Sequence, residues 1–256
     1  MKFSANLGLL WAEVSLPEAI RHAKAAGFAG VECHWPYDVP VHAIQEALNE
    51  TGLSMLGLNT RRGDIDAGEF GRSAVPGRET DARADIDEAI AYASQIGTGA
   101  IHVLAGVAQG DDAQRTFLSN LAYACRQASH HQITILIEPV NRYDIHGYFL
   151  WNTGQAADII QELDLPNLKM MFDCYHVGRT EGQVVERFKK YRPIIGHIQF
   201  ASVPNRLSPD QGELDYREVF EAIENTGWSR PLGAEYKPSG PTEASLGWMK
   251  TFDATE

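Results

Sequence analysis

The sequence predicts an α/β fold of the (β/α)₈-barrel class, built as one domain over residues 1–256. Three observations carry that expectation. Short apolar, β-branched runs alternate with stretches of helical periodicity, eight of each, in about the length such a barrel needs. No second composition regime and no internal repeat interrupts the alternation. No G-x-G-x-x-G follows an early strand, so the rival open, doubly wound sheet lacks its usual dinucleotide signature.

In chain order, Phe3-Ser-Ala-Asn-Leu-Gly8 is the first strand. Ser15-Leu-Pro-Glu18 opens a helix, with serine as N-cap, proline in the first turn and Glu18 closing a capping box. Leu16, Ala19, Ile20 and Ala23 form its apolar stripe and Gly27 ends it. Gly30-Val-Glu-Cys-His-Trp35 is strand two, residues 41–49 a helix, and Leu53-Ser-Met-Leu-Gly-Leu58 strand three. Residues 59–80 break the rhythm with Gly63, Gly68, Gly71, Gly77, Pro76, Arg61, Arg62, Arg72 and Arg78. A loop this long inside a compact domain reads as a lid, with arginines available to an anion.

Helical spacing returns over 81–96, Ala100-Ile-His-Val-Leu-Ala-Gly106 is strand four, and residues 112–130 are a long helix. Ile133-Thr-Ile-Leu-Ile137 is strand five, running straight into Glu138 and Pro139, where the missing amide donor helps end it. A helix from Thr153 precedes strand six, Leu168-Lys-Met-Met-Phe-Asp173, and Val184, Val185, Phe188 and Tyr191 mark the next helix. Ile194-Ile-Gly-His-Ile-Gln-Phe200 is strand seven, followed by an irregular segment to about residue 213 and a helix over 215–225. Pro231-Leu-Gly-Ala-Glu-Tyr-Lys237 is strand eight, and a last helix covers 243–252.

Charge and cysteine usage bound the function classes. A net charge of −12 argues against a nucleic-acid surface. Cys33, Cys125 and Cys174 are few, odd in number and scattered, no secretory signal precedes Phe3, and no apolar run reaches a membrane span of roughly 20 residues. These features point to a cytoplasmic protein with neither membrane nor nucleic-acid partners. No Ser-based elbow, CxxC pair or GK[ST] loop is present, so a nucleophilic hydrolase, a redox pair and a nucleotidase are not indicated.

In a (β/α)₈ barrel the residues at strand C-termini face the active site. Those ends are Glu138 on strand five, Asp173 on six, Gln199 on seven and Glu235 on eight. Three acids gathered at one mouth repel one another unless a cation joins them, and an all-oxygen donor set suits Mg²⁺ or Mn²⁺ better than Zn²⁺. Each position has a plainer explanation: Asp173 capping a turn, Glu235 pairing with Lys237, Gln199 bonding a loop, Glu138 holding Arg142. All four on successive strand ends favour the metal site. Around it, His102 has a role against substrate or behind a ligand, Asn6 contacts substrate or forms a turn, and Lys237 meets a substrate carboxylate or Glu235. Glu32 and His34 alternate along strand two as a mouth-facing pair without an assigned role.

Glu138-Pro-Val-Asn-Arg-Tyr-Asp144, Phe172-Asp-Cys-Tyr-His176, Gly196-His-Ile-Gln199 and Glu235-Tyr-Lys-Pro238 resemble the hydroxypyruvate isomerase family of the xylose-isomerase-like barrels. Gly63-Asp64, Gly68-Glu69 and Ala74-Val-Pro-Gly-Arg78 resemble that family's long third loop, and the likeness spans essentially the whole chain. The resemblance implies Glu138, Asp173, Gln199 and Glu235 as metal ligands, with Glu138 and Glu235 as the glutamates that move the proton. It implies His176 as a substrate contact and Arg206 as a substrate-binding arginine. Asp144 stands where related ketose epimerases carry a glutamate, and Gln199 where they carry a metal-binding histidine, which favours the isomerase branch.

The implied activity is metal-assisted aldose–ketose isomerisation of a short hydroxy-keto acid, without an organic cofactor, in a homodimer or homotetramer. Hydroxypyruvate to tartronate semialdehyde leads, a 2-oxo-tetronate or related sugar acid follows, and a ketose 3-epimerase is third. Two other classes compete: a DNA-repair nuclease resembling endonuclease IV, opposed by Gln199 and the acidic charge, and a non-catalytic sugar-acid-binding protein.

Overall fold

A computed structural model describes residues 1–252. Along the chain run β1 (Phe3–Asn6), α1 (Leu16–Ala25), β2 (Gly30–Glu32), α2 (Val41–Thr51), β3 (Leu58–Asn59), α3 (Glu79–Ile96), β4 (Ala100–His102) and α4 (Gly110–Ser129). Then follow β5 (Thr134–Ile137), α5 (Thr153–Leu163), β6 (Leu168–Asp173), α6 (Cys174–Thr180), α7 (Val184–Tyr191), β7 (Ile195–Phe200), α8 (Tyr216–Glu224), β8 (Leu232–Ala234) and α9 (Trp248–Phe252). This is the strand–helix alternation the sequence predicts.

The chain forms two compact units. The first holds residues 1–55, 173–192 and those from 198 onward; the second holds 56–172 and 193–197. Strand order is β2-β1-β8-β7 in the first and β6-β5-β4-β3 in the second. The strands pair in parallel, with Asn6 beside Glu32, Ser4 beside Gly233 and Gln199 beside Gly233 in the first unit. In the second, His102 lies beside Leu136 and Ile137 beside Met170. Strands buried on both faces explain the continuous apolar runs.

Each unit has its own aromatic centre. Phe3, Phe200 and Trp248 meet edge to face in the first, with ring centroids 4.9–5.6 Å apart. Phe117 of α4 packs against Phe149 at 5.6 Å in the second.

Local chemistry sets the element ends. The Glu18 carboxylate accepts from the Ser15 amide at 3.2 Å, as the capping box requires. Gly52 ends α2 in the left-handed region at φ 67°, where a side chain is strained.

Four expectations change. Strand three contracts to Leu58–Asn59; Leu53 and Met55 are buried, but Met55 makes only an isolated bridge to Val31. A short helix, α6, starts at Cys174, so that residue is a buried helix residue and not part of strand six. The last helix splits into a 3-10 turn, Thr242–Ser245, and α9, because the Ser245 hydroxyl donates back to the Thr242 carbonyl at 2.7 Å.

The fourth concerns the arginines of the long loop. Arg61 binds Glu88 at 2.6 Å, Arg72 binds Glu69 at 3.0 Å and Asp85 at 3.1 Å, and Arg78 pairs with Glu69 and Asp81. These three guanidinium groups fasten the loop to itself and to α3 instead of waiting for an anion. Glu69 is the hub: it also accepts from the Asp64 amide at 2.8 Å. That bond, with Arg78 and Arg72, outweighs burial and holds its carboxyl down at about 2. A carboxyl lowered this way stabilises the fold above its ordinary titration range and loses that contribution as pH falls toward 2. Loop residues 63–78 are therefore expected to become protease-sensitive between about pH 4.5 and pH 2. Glu69→Gln should show the same sensitivity already at neutral pH; unchanged cleavage there would sink this reading.

Candidate functional site

Strand ends and the turns that follow them build the polar cluster of the first unit. Asp173 ends β6 and also caps α6: its Oδ1 accepts from the Tyr175 amide at 2.8 Å. Its Oδ2 faces away from this cap. It stands 3.6 Å from His176 Nε2 and 3.9 Å from the Arg206 guanidinium. The tight β6–α6 junction brings His176, three residues on, back over the carboxylate that caps its own helix.

Glu235 follows β8, with its backbone N–H bonded to the Phe200 carbonyl. Its Oε2 meets the Arg206 guanidinium at 2.8 Å and its Oε1 meets His34 Nε2 at 2.9 Å. Burial drives its carboxyl up, but Arg206 and then His34 outweigh that and hold it below the usual carboxylate range. Arg206 is fixed at φ 56°, stacks over the Tyr175 ring at 5.1 Å, and sends Nε to the Glu235 carbonyl at 3.3 Å. His34 reaches Glu235 across the backbone at Gly8, where a Cβ would overlap the imidazole.

Gln199 lies on β7, buried at 3% exposure, and donates Nε2 to Glu32 Oε2 at 3.1 Å. Among the residues just named, Asp173 and Glu235 share the Arg206 guanidinium, and Glu32 is a third buried carboxylate.

In the second unit, Glu138 follows β5 and is 6% exposed; its Oε2 stands 3.4 Å from Nδ1 of the buried His102. The next turn is shaped by Asn141, whose Oδ1 accepts from the amides of Tyr143 and Asp144. Asp144 is exposed on that turn.

Within the first unit, Asp173, His176, Arg206 and Glu235 form one connected cluster. Asn6 is buried, and its Oδ1 accepts from Gly8 N–H at 2.9 Å, the turn-forming role. Lys237 is exposed, and Glu235 takes Arg206 and His34 as its ion partners in its place. Glu32 and His34 join the cluster although no role was assigned to them. Their i, i+2 spacing, with Glu32 ending β2 and His34 just beyond it, is the available signal; the partners across the sheet are not in the sequence.

The comparisons with known proteins agree on the fold. Residues 20–252 match the family described as xylose isomerase-like TIM barrel. A 2-oxo-tetronate isomerase of Cupriavidus necator is 41% identical over 255 residues, covering 98% of each chain. A hydroxypyruvate isomerase of Escherichia coli is 36% identical over 256 residues, covering 98% of this chain and 99% of that one. A crystal structure from Brucella melitensis, named AP endonuclease, family 2, superposes with a TM-score of 0.94 at 35% identity over 98% of both chains.

Proposed function

The chain belongs to the hydroxypyruvate isomerase family of xylose isomerase-like TIM barrels, and from that premise we propose that it interconverts hydroxypyruvate and tartronate semialdehyde through an enediolate. A 2-oxo-tetronate is the next substrate in order. The chain is an isomerase, and its relatives support a small hydroxy-keto acid as the substrate class. The observation that carries the mechanism is Glu235, a buried carboxylate kept charged by Arg206 and His34.

The residues fit a divalent ion. Gln199 Oε1 is buried and has no hydrogen-bond partner, an expensive condition for a carbonyl oxygen unless something else satisfies it. Asp173 and Glu235 supply carboxylate oxygens in the same unit. The donor types of Glu138, Asp173 and His176 are likewise compatible with such an ion. We assign Glu138, Asp173, Gln199 and Glu235 as the ligands of Mg²⁺ or Mn²⁺, the oxygen-seeking choices. When bound, the ion supplies positive charge where negative charge develops on the substrate oxygens.

This chain's own groups do the rest. One glutamate, Glu138 or Glu235, takes the proton from C3 of hydroxypyruvate, the hydroxyl proton passes from O3 to O2, and the carbon-bound proton returns at C2. The depressed carboxyl of Glu235 is charged at neutral pH but weakly basic, so close approach to the carbon must supply the drive. Arg206, His176 and Lys237 are assigned to the substrate carboxylate and hydroxyls, with Asn6, His102 and Asp144 completing the proposed contacts.

Three free, buried thiols suit a reducing compartment and support the proposed cytoplasmic location; a homodimer or homotetramer is the proposed assembly. Among the described residues no helix is long and apolar enough to cross a membrane.

The endonuclease reading is disfavoured by the net charge of −12 and by an amide at position 199. A ketose 3-epimerase would use the same groups. Steady-state conversion of hydroxypyruvate, 2-oxo-tetronates and free ketoses separates these readings. The expected order of kcat/KM places the acids first. Turnover of ketoses alone would move the enzyme to the epimerases.

A further inference from the structure

We propose that Glu32 is a positioning residue that sets which end of the Gln199 amide faces the cation site; this rests on the metal reading given above. Glutamine is an ambiguous ligand. Its oxygen can bind a cation and its NH₂ cannot, yet the two ends have nearly the same shape. A site that uses an amide needs something to prevent the wrong orientation, and sequence position alone cannot provide it.

The first unit contains such a device. Glu32, 2% exposed at the end of β2, reaches past the two intervening strands, β1 and β8, to Gln199 on β7. The path is open because the residue paired with Gln199 on β8 is Gly233, and a Cβ there would overlap both Glu32 Oε1 and Gln199 Cγ. At the end of the path Gln199 Nε2 donates to Glu32 Oε2 at 3.1 Å. A carboxylate accepts and does not donate, so it holds the NH₂ end and repels the oxygen end. The amide oxygen is thereby turned away from Glu32, buried and without a hydrogen-bond partner.

Charge selectivity follows from the same contact. Glu32 adds negative charge behind a neutral ligand, which strengthens the pull on a divalent ion without adding a fifth donor to it. Partners that orient a ligand in this way are typically worth about 10–100-fold in metal affinity.

The test is metal binding, read by isothermal titration with Mg²⁺ and by Mn²⁺ electron paramagnetic resonance on the full chain. In Glu32→Gln the facing amide can accept or donate, so Gln199 loses its orienting constraint. The dissociation constant is expected to rise about 10-fold or more, with the metal-free melting temperature little changed. The double variant Glu32→Gln with Gln199→Glu restores one N–H···O bond with its direction reversed and leaves a carboxylate oxygen for the cation. It is expected to regain parental affinity. Parental affinity in the single variant would overturn the inference. So would a double variant as weak as the single one, since a purely structural Glu32 predicts no rescue. If the parent chain itself binds neither ion, the metal reading fails first and takes this inference with it.

Discussion

Glu235→Gln is expected to lower kcat by about 10²–10⁴-fold, the usual worth of a positioned acid–base group, while the folded protein persists. The amide keeps the side chain's shape: its oxygen can still accept from Arg206, 2.8 Å from Glu235 Oε2, and its NH₂ can donate to the neutral His34 ring, 2.9 Å from Oε1. It cannot take a proton, and it carries no charge to hold a cation. Glu138→Gln should lose a comparable amount for the same reason. The double variant should lose little more than either single one, because groups that act in one proton transfer are not additive. Initial rates with hydroxypyruvate, alongside circular dichroism, decide the matter. A kcat within a few-fold of the parent in either single variant would remove that glutamate from the mechanism.

Arg206→Met is expected to be the most destabilising single change in the cluster. The guanidinium is the cation shared by Glu235 and Asp173, and its loss leaves two buried carboxylates facing each other's field. Removing one partner of a buried pair typically costs about 3–5 kcal/mol, readable as a lower urea midpoint. The pH dependence has a definite sign. In the parent, Glu235 is held below its ordinary value, so its contribution is present above the usual carboxyl range and is lost as pH falls through the lowered value. In the variant, burial acts without Arg206 and drives the carboxyl up, so a proton can relieve the strain. The stability deficit should therefore shrink between pH 7 and pH 5. Added Mg²⁺ should recover part of it, since an ion that binds only the native state stabilises that state. An equal deficit at both pH values would show that Arg206 acts through packing alone.

The fold was legible because apolar period and turn residues agree along most of the chain. Ser15 and Glu18 mark the start of α1, Gly52 ends α2, and Asp215 caps α8 by accepting from the Arg217 amide at 2.9 Å. Legibility fails where hydrogen bonding and burial part company. Leu53 and Met55 keep a strand's alternating burial without forming a ladder. The helix after Asp173 has only 7 residues, about two turns, too short for a periodic signal.

The site divides along the same line. Strand-end position and family resemblance mark Asp173, Gln199 and Glu235, because these need only local sequence. Partnerships depend on what lies across the sheet. Arg206 displaces Lys237 as the partner of Glu235 because its loop docks there, with the Arg206 carbonyl accepting from the Lys237 amide at 2.7 Å. Glu32 and His34 reach their targets only because Gly233 and Gly8 leave room, a condition visible in three dimensions and not in one. The partners of the loop arginines are hidden for the same reason: Glu69, Asp81, Asp85 and Glu88 engage Arg61, Arg72 and Arg78.

The central claim is proton transfer through an enediolate, and hydrogen exchange in D₂O tests it most directly. Protein loaded with Mg²⁺ or Mn²⁺ would be incubated with hydroxypyruvate and followed by NMR beside an EDTA-treated sample. Deuterium entering the carbon next to the carbonyl, together with a new aldehyde or hydrate signal, is the expected result, with both lost on chelation and in Glu235→Gln. Conversion of substrate to the aldehyde without any solvent deuterium, or no exchange from any hydroxy-keto acid in the metal-loaded enzyme, would contradict it.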